Sequence, residues 1–127
     1  SAAELYAACD IVSLHIPATP ETKASINKEL LSQMPKGAVL VNTARKEVIH
    51  EDELIQFMQE RQDFRYVTDV MPAADQKMHE LFEGRYFATP KKMGAQTAEA
   101  NINAGIAAAK QIVDFLENGN TKFQVNK

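Results

Sequence analysis

The chain has 127 residues, with 14 lysines and arginines, 17 aspartates and glutamates, and a formal net charge of −3. This length fits one ordinary domain or part of a larger one, and the charge balance gives no reason to expect a nucleic-acid or membrane partner. The single cysteine, Cys9, excludes an intramolecular disulfide, and no apolar run is long enough to cross a bilayer. We therefore expect a globular protein of the reducing cytoplasm.

Strands and helices are predicted to alternate along the chain. After a short helical piece at the N-terminus, strand-like runs rich in β-branched and aromatic residues occupy 10–16, 38–44, 64–70 and 86–89. The first of these has the pattern of a strand buried on both faces. Helical patterns occupy 28–34, 50–61, 74–84 and 97–119. Regular alternation of this kind favours an α/β fold with a parallel sheet.

Capping residues bound two of the predicted helices. Asn27 is placed to cap the helix that follows it, and Thr97 to cap the last helix, which Gly119 should end. The first half of that last helix is mostly alanine, a surface that another helix can approach closely. We therefore expect 98–109 to contact a helix of another domain.

Chemically useful side chains follow the predicted strands. In parallel α/β sheets, ligands bind beyond the carboxyl ends of the strands. Those ends carry His15, Ile16 and Pro17, then Thr43, Ala44 and Arg45, then Asp69, and finally Lys91 and Lys92. One arginine, one aspartate and two lysines should therefore gather at one rim of the sheet.

The ordered set of rim motifs resembles the NAD-dependent D-2-hydroxyacid dehydrogenases, and within them the phosphoglycerate dehydrogenases. The matching stretches are DIVSLHIPATPETKASIN, AVLVNTARKEVIHEDEL, YVTDV and ATP…GAQTAEA. The resemblance implies part of a Rossmann-like, doubly wound parallel sheet with a long C-terminal crossover helix. Residues 1–96 would be the second half of the dinucleotide-binding domain. Residues 97–127 would be the linker helix and tail toward a substrate domain.

The resemblance also implies roles for the rim residues. Arg45 would bind the substrate carboxylate, a role that suits a planar guanidinium. Asp69 would accept a hydrogen bond from the nicotinamide carboxamide. The remaining cofactor contacts would come from Ile16, Pro17, Thr43, Ala44 and Gly94. For Arg45, the alternative is a surface arginine paired with Glu47. For Asp69, it is an aspartate that caps a turn, and for the other cofactor contacts it is ordinary loop packing. His15 matches a family position where histidine serves structure.

The lysines mark a departure from the family. Members usually have histidine, the proton acceptor, after Thr-Pro, and a glutamate five residues after the aspartate that matches Asp69. Here those positions hold Lys91 or Lys92, depending on the register, and Ala74. Three accounts remain open. A lysine is the general base, a lysine binds an anionic group such as phosphate, or the site is inactive with solvated lysines.

The implied reaction is oxidation of a small anionic D-2-hydroxyacid by NAD, with 3-phosphoglycerate as the foremost substrate. The implied parent is a homodimeric enzyme whose N-terminal half is missing here. The family's glycine-rich phosphate loop has no match among the five glycines of this chain, so we expect residues 1–127 alone to bind NAD weakly and to be inactive. The alternative is a non-catalytic interaction module derived from half of a dehydrogenase domain, with an uncovered sheet edge.

Overall fold

The computed structural model describes residues 1–92, 94 and 96–126. They form two compact units, Ser1–Lys92 and Met93–Lys127, which are described separately. The first unit contains, in chain order, α1 (Ala2–Ala8), β1 (Ile11–Leu14), α2 (Lys28–Leu31), β2 (Val39–Asn42), a 3-10 turn (Lys46–Val48), α3 (Glu51–Glu60), β3 (Arg65–Thr68), α4 (Asp75–Leu81) and β4 (Tyr86–Ala88). The second contains α5 (Ala98–Asn118).

The four strands form one parallel sheet in the order β1-β2-β3-β4. One row of buried residues runs across it from Val12 through Leu40 and Tyr66 to Tyr86. The next row, Leu14–Asn42–Thr68–Ala88, lies at the carboxyl ends of the strands. Asn42 and Thr68 are the two buried polar residues of the described core. The predicted α/β class, with a parallel sheet and a long C-terminal helix, is therefore confirmed.

The sheet is covered on one face. Burial alternates along β1, so that Val12 and Leu14 are buried while Ile11 is 65% exposed. On the same open face, Phe87 of β4 is 57% exposed. The prediction that the first strand is buried on both faces is therefore wrong for the described residues. Each crossover steps in the same direction along the sheet, and right-handed crossovers of that kind place every connecting helix on one face.

The strands are also shorter than predicted. The first two end at Leu14 and Asn42, rather than at residues 16 and 44, and the third ends at Thr68 rather than at residue 70. Polar side chains bend the chain at two of these ends. The Asn42 side chain accepts the Ala44 N–H, and the Thr68 hydroxyl accepts the Val70 N–H. These contacts replace ladder hydrogen bonds, so the rim residues leave the sheet.

The helices follow their predicted signals more closely. Asn27 and Thr97 accept capping hydrogen bonds from Leu30 and Ala100, and Gly119 ends α5 in the left-handed region at φ 66°. The predicted helix over 28–34 is regular only to Leu31, beyond which tighter turns continue it. No residue of α5 is buried, and its predicted contact with another domain stays a prediction. No described helix is long and apolar enough to cross a membrane.

A charged clamp ties the amino ends of β2 and β3 together. Arg61 donates two hydrogen bonds to Asp63 and others to the carbonyls of Met34 and Pro35. Asp63 also accepts the Gly37 N–H at 2.6 Å. The Arg61 guanidinium and this N–H hold the pKa of the Asp63 carboxyl well below its usual range. The clamp lies at the end of the sheet opposite the rim.

We predict that Asp63→Asn lowers the free energy of unfolding by about 1–2 kcal/mol, because the variant loses charge-assisted hydrogen bonds. The stabilisation is complete above the ordinary aspartate pKa of about 3.9 and is lost as the pH falls below it. Denaturant unfolding at pH 7 and at pH 3 measures the free energy of unfolding, and the difference in this free energy between the variant and the wild type should be smaller at pH 3. Exposed Glu83→Gln is the control. An equal difference at both pH values would contradict this account.

Candidate active site

The carboxyl ends of β1 and β2 border a cleft of about 310 Å³ in the first unit. Its lining consists of His15, Ile16, Pro17, Thr43, Ala44 and Arg45. Five of these six are residues for which the sequence predicted a role. The sixth, His15, was interpreted as structural, and its Nε2 lies 2.9 Å from the Ser13 hydroxyl oxygen on the open face of β1.

The side-chain amide of buried Asn42 forms hydrogen bonds with the turn that carries Arg45. The Asn42 Oδ1 atom accepts the Ala44 N–H at 3.0 Å, and its Nδ2 donates to the Arg45 carbonyl at 3.0 Å. Arg45 itself is exposed, and its Nη1 donates to the Ala44 carbonyl at 2.8 Å. Arg45 forms no ion pair with a described carboxylate, so the alternative of a pair with Glu47 is not what the structure contains.

Lys92 reaches the same turn from beyond β4. Its Nζ donates to the carbonyls of Thr43 and Ala44, each at 3.0 Å. The Arg45 guanidinium and the Lys92 ammonium therefore meet at one oxygen, that of Ala44. Lys91 is exposed and contributes its backbone carbonyl to the Thr89 hydroxyl at 3.2 Å. The two lysines thus differ, since Lys92 is the one that contacts the arginine turn.

Asp69 follows β3, and its backbone N–H donates to the Asn42 carbonyl at 3.2 Å. Its Oδ1 atom is buried and has no hydrogen-bond partner among the described residues. A buried acceptor without a partner costs about 1–3 kcal/mol. Such an atom fits a ligand that brings an N–H donor to this rim.

The acid nearest to the family's glutamate position is occupied elsewhere. Asp75, one residue after Ala74, accepts a hydrogen bond from the Tyr86 hydroxyl and lies 3.6 Å from the His79 Nε2 atom. Burial and this carboxylate raise the pKa of the Tyr86 hydroxyl well above its usual range. Asp75 therefore joins α4 to β4, and no contact joins it to Lys91 or Lys92.

The acids at the start of α3 serve the backbone. Glu51 accepts the N–H groups of Ala73 and Ala74, both at 2.9 Å. Glu53 accepts the Lys28 N–H at 2.8 Å. Within the described residues, no group of three His, Cys, Asp or Glu side chains is arranged to hold a metal ion. These acids fasten loops around α3.

The second unit has a groove of its own. The last turns of α5 and the tail that follows border an open groove of about 490 Å³, lined by exposed apolar side chains that include Ile112, Phe115, Leu116 and Phe123. Asp114 accepts hydrogen bonds from Asn118 and Asn120 at the same place. Gly94 lies in an exposed turn of this unit, and its predicted contact with the cofactor stays a prediction.

Sequence reasoning missed Asn42, which stood in the predicted strand as an ordinary residue. A signal was present, because asparagine at a strand end commonly bonds the backbone two residues on. The choice between Lys91 and Lys92 had no such signal. The inserted residue leaves the register undefined, and only the fold shows which side chain turns toward residues 43–45.

Several known proteins resemble this chain in sequence and in fold. Residues 1–90 match the model of the D-isomer specific 2-hydroxyacid dehydrogenase NAD-binding domain. A D-3-phosphoglycerate dehydrogenase from Haemophilus influenzae is 35% identical over 97% of the chain, and a hydroxypyruvate reductase from Thermotoga maritima is 34% identical over 85%. The chain spans 31% and 36% of the lengths of these two relatives.

Among solved structures, the NAD-bound 3-phosphoglycerate dehydrogenase of Entamoeba histolytica is 53% identical and superposes with a TM-score of 0.90. That match covers the whole of this chain and 42% of the Entamoeba chain. The resemblance that the rim motifs predicted is confirmed. The chain belongs to the NAD-binding domain family of the D-isomer specific 2-hydroxyacid dehydrogenases.

Proposed function

We propose that this chain is part of an enzyme that oxidises a D-2-hydroxyacid, 3-phosphoglycerate foremost, with NAD as the hydride acceptor. The observation that carries the proposal is the meeting of Arg45 and Lys92 at the Ala44 carbonyl, at the mouth of the cleft. The similar proteins from Haemophilus influenzae and Entamoeba histolytica are named as phosphoglycerate dehydrogenases, which supports the choice of substrate. "Full-length enzyme" below means the longer polypeptide that the proposal places around residues 1–127.

Arg45 binds the substrate carboxylate in this proposal. A guanidinium has five N–H donors, and one of them is engaged with the Ala44 carbonyl. The others can form a bidentate pair with a carboxylate, which fixes the orientation as well as the position of the substrate. Two exposed lysines, Lys46 and Lys91, add positive charge for a phosphate group.

Lys92 takes the hydroxyl proton. Two backbone carbonyls accept hydrogen bonds from its Nζ, and a neutral amine has two N–H groups and one lone pair. With both N–H groups engaged, the lone pair is left free to accept the proton of the substrate hydroxyl. In the reverse direction the ammonium returns that proton.

The rim fits the nicotinamide end of NAD. The unpartnered Asp69 Oδ1 can accept an N–H of the carboxamide, and Ile16, Pro17, Thr43 and Ala44 offer the walls of the cleft. NAD, when bound, supplies the acceptor for the hydride of C2. This chain holds no glycine-rich phosphate loop, so the pyrophosphate would be held by another part of the full-length enzyme. We also propose that the full-length enzyme is a cytoplasmic homodimer.

The test is NADH formation by the full-length enzyme with 3-phosphoglycerate, D-glycerate and D-lactate in parallel. We expect turnover with 3-phosphoglycerate and a kcat/KM at least about tenfold lower without the phosphate, since a charge-assisted hydrogen bond contributes about 1.5–3 kcal/mol. Equal rates with all three would contradict the assignment of substrate. The absence of NADH formation with every D-2-hydroxyacid would contradict the proposed function.

A second candidate is a non-catalytic interaction module. The open face of the sheet favours it, because Ile11 and Phe87 are both more than half exposed there. They lie on the two edge strands, and an uncovered sheet edge can pair with another chain. The same NADH assay separates the two candidates, since a module would bind a partner without turnover.

A further inference from the structure

Asn42 is fully buried, with 0% of its surface exposed, at the end of β2. Its side chain is directed to the turn over residues 43–45, where Oδ1 accepts the Ala44 N–H and Nδ2 donates to the Arg45 carbonyl, each at 3.0 Å. A longer contact of 3.4 Å joins Nδ2 to the Tyr66 hydroxyl oxygen. Both ends of the amide are therefore used, and its orientation is defined by the backbone groups that it meets.

The turn requires one donor and one acceptor from a single short side chain. A backbone N–H needs an acceptor and a backbone carbonyl needs a donor, and the asparagine amide supplies both. A carboxylate can accept from Ala44 but cannot donate to the Arg45 carbonyl. Leucine has a similar volume and offers neither group. Asparagine is thus matched to the turn by chemistry as well as by size.

The same turn determines where two cations lie. The Thr43 and Ala44 carbonyls accept the Lys92 ammonium, and the Ala44 carbonyl also accepts the Arg45 guanidinium. A rotation of the Ala44 peptide would move the acceptor that both cations share. The Asn42 backbone carbonyl, in addition, accepts the Asp69 N–H at 3.2 Å. Asn42 therefore contacts the backbone of Arg45 and Asp69, and the backbone of Ala44 on which Lys92 is anchored.

We propose that Asn42 is a positioning residue for hydroxyacid oxidation, acting through the turn over residues 43–45 to place Arg45 and Lys92. This inference rests on the proposed function. It assigns a task to the side chain that differs from stabilising the sheet, since both of its close hydrogen bonds go to the turn rather than to a neighbouring strand. The Asp69 contact uses the Asn42 backbone, so a side-chain change should leave the nicotinamide contact in place.

The experiment compares Asn42→Asp with the wild-type full-length enzyme. The variant keeps the size and the acceptor but loses the donor, and it should raise KM for the hydroxyacid by about 30-fold while the Kd for NAD changes less than about twofold. Asp63→Asn, at the opposite end of the sheet, is the control for lost stability and should leave KM unchanged. Asn42→Ala, whose methyl group serves neither backbone group, is the second variant and replaces Asn42→Asp if that protein fails to fold.

Backbone amide exchange provides a second readout that does not depend on turnover. In Asn42→Ala, which lacks the acceptor of the Ala44 N–H, exchange of that N–H should become at least about tenfold faster, while that of the buried Tyr66 N–H should match the Asp63→Asn control. An unchanged KM in Asn42→Asp, or an unchanged exchange rate at Ala44 in Asn42→Ala, would overturn the inference. If the wild-type enzyme oxidises no D-2-hydroxyacid, the proposed function fails, and the exchange rate at Ala44 alone decides whether Asn42 holds the turn.

Discussion

Arg45→Ala is expected to lower kcat/KM for the hydroxyacid by about 100- to 1,000-fold, the loss expected when one partner of a charge-assisted pair is removed. The guanidinium is held at the mouth of the cleft by the Ala44 carbonyl and has no carboxylate partner among the described residues. Its remaining donors are therefore available to a substrate. The Kd for NAD should stay nearly constant, because the proposed contact with the nicotinamide comes from Asp69.

Arg45→Lys separates charge from shape. Lysine keeps the positive charge but cannot form the planar, bidentate contact, so a loss of about tenfold or more should remain. The matched control is Arg65→Ala, which removes an exposed arginine at the amino end of β3. Steady-state kinetics with NAD held at saturation measure all three variants. Equal kcat/KM values for Arg45→Ala and Arg65→Ala would show that Arg45 does not bind the substrate.

Lys92→Ala is expected to lower kcat by about 100- to 10,000-fold, the range associated with loss of a general base. Its amine is the one that contacts the arginine turn through the Thr43 and Ala44 carbonyls. Lys91→Ala is the matched control, since it removes an adjacent lysine that is exposed. We expect Lys91→Ala to change kcat by no more than a few-fold, with a larger effect on KM for 3-phosphoglycerate than for D-glycerate.

Lys92→Arg distinguishes a base from a binder of anions. Arginine keeps the charge but cannot accept a proton near neutral pH. If Lys92 is the base, this variant should be as slow as Lys92→Ala, and the limb of the pH profile that reports deprotonation of the base should disappear. If Lys92→Arg keeps nearly full turnover, the role of the Lys92 side chain is to bind an anion. Full turnover of Lys92→Ala would show that Lys92 is neither the general base nor a binder of anions.

Much of the fold could be predicted because its signals are local. The caps of α2 and α5 depend on Asn27 and Thr97, each of which bonds a backbone N–H three residues ahead. The apolar face of α3 depends on residue spacing, and Leu54, Phe57 and Met58, which share that face, are all buried. The open face of the sheet could not be predicted in this way. It depends on the direction in which successive crossovers step, which no strand carries in its own sequence.

In the candidate site, too, local signals could be predicted from the sequence and long-range contacts could not. Arg45 and Asp69 could be proposed from strand ends, because the carboxyl ends of parallel strands meet at one rim. The hydrogen bond of Asp75 to Tyr86 could not, since it depends on how α4 packs on β4. Lys92 is separated along the sequence by 49 positions from Thr43 and by 48 positions from Ala44, the two residues of the turn that it contacts. Long-range contacts of that kind determine which of the two adjacent lysines contacts the turn over residues 43–45.

The most direct measurement is a crystal structure of the full-length enzyme with NADH and 3-phosphoglycerate bound together, a complex that cannot turn over. The account predicts that the Lys92 Nζ atom lies about 2.6–3.2 Å from the oxygen on C2, while Arg45 forms two hydrogen bonds to the carboxylate. It also predicts a carboxamide N–H on the Asp69 Oδ1 atom. A substrate whose carboxylate lies away from Arg45, or whose C2 oxygen is beyond the reach of Lys92, would contradict it.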